Sequence, residues 1–271
     1  MPNFEDLISR LDTALYKNID AELNEDDRKS LLAVQKAVRE RRGTYCYLEI
    51  GSHLGGSIQP YLLDTRCVRI YSIDKRPLVV PDDRGGPIKY PENSTQRMMQ
   101  LLTRLSRDEV SKIVCFDDDA KNVAPGLISE KPDICFIDGE HTTQAVISDF
   151  AFCRSVVKPD GVICFHDSEA IWKGLREIVR GLKALKISFR FARLGGVVSV
   201  ICFDDSVFTE CEDLTTLTSS GWRYFALYHR LAELQRKHFD FRLINLLKPT
   251  AKTTLNWVRR LTTRASSPGQ S

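Results

Sequence analysis

The chain has 271 residues, 42% of them hydrophobic and 28% charged, with a formal net charge of +3. That is enough apolar material for one well-buried core with additions, and the ordinary composition excludes disordered and fibrous classes. No apolar run approaches the roughly 18 residues of a membrane span, and the acidic opening Met1-Pro2-Asn3-Phe4-Glu5-Asp6 is not a secretory signal. The charge is uneven. Residues from 222 onward carry ten Lys and Arg against two acids, so this basic end holds +8 and the body −5. None of the eight cysteines forms a C-x-x-C pair. Cys115, Cys135, Cys164 and Cys202 fall inside apolar runs, as expected of buried thiols in a reducing, cytoplasmic compartment rather than of a disulfide framework or a zinc site.

Residues 1–42 read as a helical cap, with Leu7, Ile8, Leu11 and Leu15 at helical spacing, and again Leu31, Leu32, Val34 and Val38. From 43 the pattern changes to short apolar runs at 45–50, 68–73, 112–116, 134–137, 162–165, 188–192 and 197–203. The first five are separated by segments long enough for crossover helices. The last two are joined only through Arg193-Leu194-Gly195-Gly196, a hairpin link. The expectation is an α/β fold: a Rossmann-like, seven-stranded, mostly parallel sheet with a closing antiparallel hairpin and helices on both faces, over residues 43–205. Residues 83–98, rich in Gly, Pro, Asn and Asp, read as a loop or lid over the site. Residues 206–271 read as a basic helical extension, its end from 265 disordered.

The loop after the first strand is the candidate ligand cradle, built on Glu49, Gly51, Ser52, Gly55 and Ser57. Its E-x-G-x-x-x-G spacing is not the G-x-G-x-x-G of a dinucleotide site. An acid in a loop without phosphate-directed glycines suits a cationic nucleoside. Asp74 ends the second strand, where a carboxylate accepts from ribose hydroxyls. Asp117-Asp118-Asp119 ends the third, and Asp118 and Asp119 are the candidates for an adenine amino group.

The most specific segments end the fourth and fifth strands: Asp138-Gly139-Glu140-His141 and His166-Asp167. Glu49, Asp74, Asp119, Asp138 and Asp167 thus gather at one sheet rim, and a cation would relieve their repulsion. Two carboxylates with substrate oxygens suit Mg2+ or Mn2+, so Asp138, His166 and Asp167 are the candidate metal ligands, with His166 alternatively orienting Asp167. His141 is the candidate general base, with a structural hydrogen bond as the plainer reading.

Leu48-Glu49-Ile50-Gly51 with Gly55-Gly56-Ser57, Ser72-Ile73-Asp74, Phe136 to His141, and Gly161 with His166-Asp167 together make the chain resemble a class I S-adenosylmethionine-dependent methyltransferase. It is similar to methyltransferase family 24, which includes sugar and macrolide-sugar O-methyltransferases. The resemblance covers about residues 43–205. It implies cofactor contacts at Glu49, Gly51, Ser57, Asp74 and Asp119, a metal ligand at Asp138, a base at His141, and two further ligands at His166 and Asp167. The chain departs from the pattern at His166, where metal-binding members often carry an acid.

The expected function is S-adenosylmethionine-dependent methylation of a hydroxyl on a small molecule or glycan, a sugar in preference, assisted by Mg2+ or Mn2+. The alternatives are a catechol-type O-methyltransferase and a non-catalytic binding module. The glycine spacing argues against a nicotinamide dehydrogenase. No Asn-Pro-Pro-aromatic motif is present to hold a flipped base, so no nucleic-acid substrate is expected. Residues 220–247 read as a helix packing on the domain or on a second copy in a homo-oligomer. The basic stretch 248–264 could lie on an anionic membrane, at the inner surface.

Overall fold

The computed structural model describes residues 3–76, 79–80, 88–90 and 93–237. The described residues up to Trp222 form one compact unit and those from Arg223 a second. The chain opens with α1 (Phe4–Ser9), a 3-10 turn at Thr13–Tyr16 and α2 (Glu25–Arg42). Asn24 and Asp27 start α2 as a capping box, each side chain accepting from the other's backbone N–H. Leu31, Leu32, Val34 and Val38, the residues at helical spacing, are all 3% exposed or less.

There follow β1 (Tyr45–Ile50), α3 (Gln59–Leu63), β2 (Cys67–Ile73), the ribbon β3 (Val79–Val80) and β4 (Ile88–Lys89), α4 (Thr95–Leu105), β5 (Ile113–Phe116), β6 (Ile134–Ile137), α5 (Thr143–Val156) and β7 (Val162–Phe165). Then come α6 (Trp172–Ala184), β8 (Arg190–Arg193), β9 (Ser199–Cys202), α7 (Ser206–Thr209), α8 (Glu212–Leu217), β10 (Ser220–Gly221) and α9 (Trp222–Lys237).

The main sheet runs β10-β8-β9-β7-β6-β1-β2-β5. Its middle and one edge pair in parallel, while β9 runs antiparallel to β7 and β8 antiparallel to β9. This is the expected mostly parallel sheet with its closing hairpin. It has eight strands rather than seven, because Ser220–Gly221 pairs with the outer edge of β8. Every residue of β1, β6 and β7 is buried, as a sheet covered on both faces requires. Tyr45, Tyr47, Phe136 and Cys164 share one core with Leu31, Leu32 and Val34 of α2. On the other face Phe150 of α5 stacks on Phe165 of β7.

The order places the reversal of winding between β1 and β6. A doubly wound sheet opens its ligand crevice there, outside the carboxyl ends of the strands. Among the described residues no helix is long and apolar enough to cross a membrane. Of the expected loop 83–98, residues 83–87 and 91–92 lie outside the described residues. So do the far end of the expected helix 220–247, the basic stretch 248–264 and the tail 265–271.

Candidate active site

Four residues sit one step beyond a strand, and the sheet's own ladder fixes each. The backbone N–H of Gly51 donates to Ile73 (2.9 Å), that of Asp74 to Phe116 (3.0 Å), that of Asp138 to Ile50 (2.9 Å) and that of His166 to Ile137 (3.0 Å). The chain turns away from the sheet at these points, so their side chains gather around the crevice. A cavity of about 270 Å3 opens there.

Gly51 is the floor of the crevice. Its φ is +90°, and a Cβ there would stand 2.2 Å from the Asp138 carbonyl oxygen. Only glycine lets the loop after β1 pass this close to the end of β6. Of the expected cofactor residues, Gly51, Ser52, Ser57, Asp74, Asp118 and Asp119 line the cavity. Glu49 and Gly55 do not. Glu49 is fully buried, accepting from the Ser57 hydroxyl and, at 2.7 Å, from the Tyr47 hydroxyl. Burial pushes its carboxyl up to about 8, although both hydroxyls favour the charged form. Expected as a cofactor contact, Glu49 lies instead beneath the loop and braces it through Ser57 and Tyr47. Gly55 closes the turn, its N–H donating to the Ser52 carbonyl at 2.7 Å.

Asp74 accepts from the backbone N–H of His53 (2.8 Å) and of Arg76 (2.7 Å). Asp118 accepts from the Asp119 N–H and from Asn122 Nδ2, while Asp119 pairs with Lys121 at 3.0 Å. Three cavity-lining acids, Asp20, Glu22 and Asp149, went unread in the sequence. Asp149 projects from α5, where burial and the neighbouring Asp119 push its carboxyl up to about 7. Glu22 comes from the segment before α2, held by Gln59, whose amide donates to the carbonyls of Tyr16, Ile19 and Gly56. Acids outnumber bases around this cavity, which fits a cationic ligand.

Asp138, His141, His166 and Asp167 also line the cavity. His141 is 8% exposed, and its Nε2 lies 3.4 Å from Asp167 Oδ2. Asp167 adopts φ +46°, the left-handed region, which a short polar side chain tolerates better than most at a cost of about 1–3 kcal/mol. His166 Nδ1 lies 3.0 Å from Asp138 Oδ1, and its Nε2 lies 3.3 Å from Asp27 Oδ2. Burial alone would lower the imidazole, but the Asp138 and Asp27 carboxylates outweigh it and raise it to about 11. In His166, expected as a metal ligand, both ring nitrogens face carboxylates. No group of three or more His, Cys, Asp or Glu side chains among the described residues is placed to hold a metal ion. The donor set as arranged does not fit the expected Mg2+ or Mn2+.

The sheet order and the crevice at its reversal match the Rossmann-like α/β fold of methyltransferases. Residues 48–168 match the family model described as "Methyltransferase domain", methyltransferase family 24. That matched stretch is similar to S-adenosylmethionine-dependent methyltransferase domains of the family 24 type. Residues of the chain are 28% identical to uncharacterized protein R132 of Acanthamoeba polyphaga mimivirus over 158 residues, 55% of this chain and 66% of that protein. The structure is similar to the calicheamicin methyltransferase CalS11, with a TM-score of 0.50 at 13% identity, over 73% of this chain and 91% of that one. It is also similar to the O-methyltransferase TomG of Streptomyces achromogenes, with a TM-score of 0.48 at 12% identity, over 73% and 90% of the two chains. At 13% identity the likeness to CalS11 is one of fold alone.

Proposed function

We propose that the chain methylates a hydroxyl of a small molecule or glycan, a sugar in preference, with His141 as general base. The observation that carries this reading is the His141–Asp167 pair beside the Gly51 floor in one acid-lined cavity. Bound S-adenosylmethionine would supply a methyl group on a sulfonium: the S–C bond breaks, an O–C bond forms, and sulfur leaves as a neutral thioether. The cavity's many carboxylates support such a cationic nucleoside as its ligand. Gly51 and Ser52 present backbone to the ligand, Asp74 accepts from its ribose hydroxyls, and Asp118, Asp119 and Asp149 stand on the adenine side. His141 takes the proton of the acceptor hydroxyl, and the Asp167 carboxylate stabilises the imidazolium that forms.

The preference for a sugar follows from the lining. Tyr90 is the only Phe, Tyr or Trp among the described lining residues, while carboxylates that accept from hydroxyls are many. A flat catechol would ask for apolar walls, and a nucleic-acid phosphate would be repelled. Transfer of labelled methyl from S-adenosylmethionine to panels of sugars, sugar nucleotides and catechols tests the class. His141→Ala should lower turnover on the accepted substrate by roughly 10²–10⁴-fold and leave S-adenosylhomocysteine binding within a few-fold. Equal turnover would remove His141 from the mechanism. Homo-oligomerisation and contact of the stretch 248–264 with an anionic membrane, on its cytoplasmic side, also stand as proposals. Sedimentation tests the first. Flotation with anionic vesicles tests the second, and a protein that stays at the bottom of the gradient sinks it.

A further inference from the structure

An imidazole stands where the carboxylates of this site would otherwise call for a divalent cation. The backbone N–H of His166 is tied to Ile137, which sets the ring beside Asp138, with Nδ1 3.0 Å from Asp138 Oδ1. The opposite ring nitrogen meets Asp27 Oδ2 at 3.3 Å, across 139 residues of sequence. An ionised carboxylate only accepts, so each ring nitrogen must donate. Neither then keeps the lone pair through which a histidine binds metal.

Asp27 is built into this position at three points. It is 1% exposed. Its Oδ2 also accepts from the Asn24 N–H at 3.1 Å, as part of the box that starts α2. Its Oδ1 accepts from the Val197 N–H at 2.6 Å. The approach exists because residue 196 is glycine, at φ +61°: a Cβ there would lie 2.0 Å from Asp27 Oδ1. A buried carboxylate facing a half-buried one without a cation between them would be costly, and the ring between them meets that need from within the chain.

We propose that His166, bridging Asp27 and Asp138, takes the place of a divalent metal in this methyltransferase site, with Asp27 as the positioning residue behind it. The site then takes no Mg2+ or Mn2+, and Asp138 is oriented by the ring instead. This inference rests on the methyl-transfer reading for the use made of Asp138, but its test does not.

The full chain is titrated with Mn2+ alone, with and without S-adenosylhomocysteine, reading free Mn2+ by electron paramagnetic resonance. The expected result is no stoichiometric uptake by the wild type. His166→Asp, which restores an acid and frees Asp138, should bind Mn2+ at least about tenfold more tightly. One Mn2+ bound by the wild type and lost in Asp138→Asn overturns the proposal. A second measurement on the wild type needs no variant to fold. The side-chain 15N–1H spectrum of His166 should show two exchange-protected ring N–H groups, and Asp27→Asn should lose protection at Nε2. A single protonated ring nitrogen in the wild type overturns the proposal as well. Failure of the wild type to bind S-adenosylhomocysteine would sink the methyltransferase reading and leave the Mn2+ result standing by itself.

Discussion

A carboxyl group at the end of a strand can face a ligand or face the loop that carries it, and the two have opposite consequences for its proton. Asp74, Asp138 and Asp167 reach the cavity, as their places after β2, β6 and β7 promise, because a strand's end fixes where the next residue lies. Glu49 is the last residue but one of β1, and the alternation of the strand turns it inward, beneath Ser57. Its raised pKa carries a stability consequence with a definite sign. The folded chain holds this proton to about 8, while the unfolded chain releases it near 4.5. The contribution is full below about pH 4.5, falls as pH rises and is gone above about pH 8. Glu49→Gln keeps the shape and cannot ionise, so it should lose that part of the slope. Between about pH 5 and about pH 8 the wild-type melting temperature should fall by roughly 5 °C more than that of the variant. Asp149, raised to about 7, acts in the same direction in both proteins, so the difference between them is the reading. Parallel pH profiles would show that Glu49 is ionised in the fold.

At the level of elements, the strands of the main sheet up to β9 were legible because their apolar runs are continuous. The strand β10 was not, since Ser220–Gly221 has no apolar pattern and exists only because β8 offers it an edge. Arg76 was equally invisible: nothing local marks it, and its role depends on four segments that meet only in the fold. Its guanidinium donates to the His53 carbonyl and reaches Ser72 Oγ (3.3 Å), Asn93 Oδ1 (3.2 Å), Met98 Sδ (3.5 Å), Asp74 Oδ2 (3.4 Å) and Asp117 Oδ1 (3.4 Å). One planar fork thus joins the loop after β1, the ends of β2 and β5, and the start of α4. Lysine, a single point charge, cannot keep more than a part of this. Arg76→Lys should weaken S-adenosylhomocysteine binding by roughly 10–100-fold, the worth of one or two charge-assisted hydrogen bonds, with a smaller effect on melting. Calorimetric binding equal to the wild type would show that the loop and Asp74 hold their places without it.

On the scale of the molecule, the sequence separates residues 1–42 from the sheet, because the hydrophobic period changes at 43. The packing joins them: α2 lies in the same core as β1, β6 and β7. Leu31, Leu32, Val34 and Val38 are 2%, 0%, 0% and 3% exposed. Burying four such side chains contributes roughly 6–12 kcal/mol, at about 1.5–3 kcal/mol each, which is comparable to the whole stability of about 5–15 kcal/mol of an ordinary domain. The ion pairs Lys36–Asp213 and Arg41–Asp204 tie the outer face of α2 to the segment after β9. They are partly exposed and worth about 0–1 kcal/mol apiece, so they set direction more than strength. The same helix delivers Asp27 to His166, so the active site and the core share one support. A chain lacking residues 1–42 should therefore lose cooperative unfolding, not activity alone. Its near-ultraviolet circular dichroism should flatten and its thermal transition broaden, even if the helical far-ultraviolet signal persists. A truncated chain that melts sharply and binds S-adenosylhomocysteine would show that the sheet carries its site unaided, and that α2 is a cap after all.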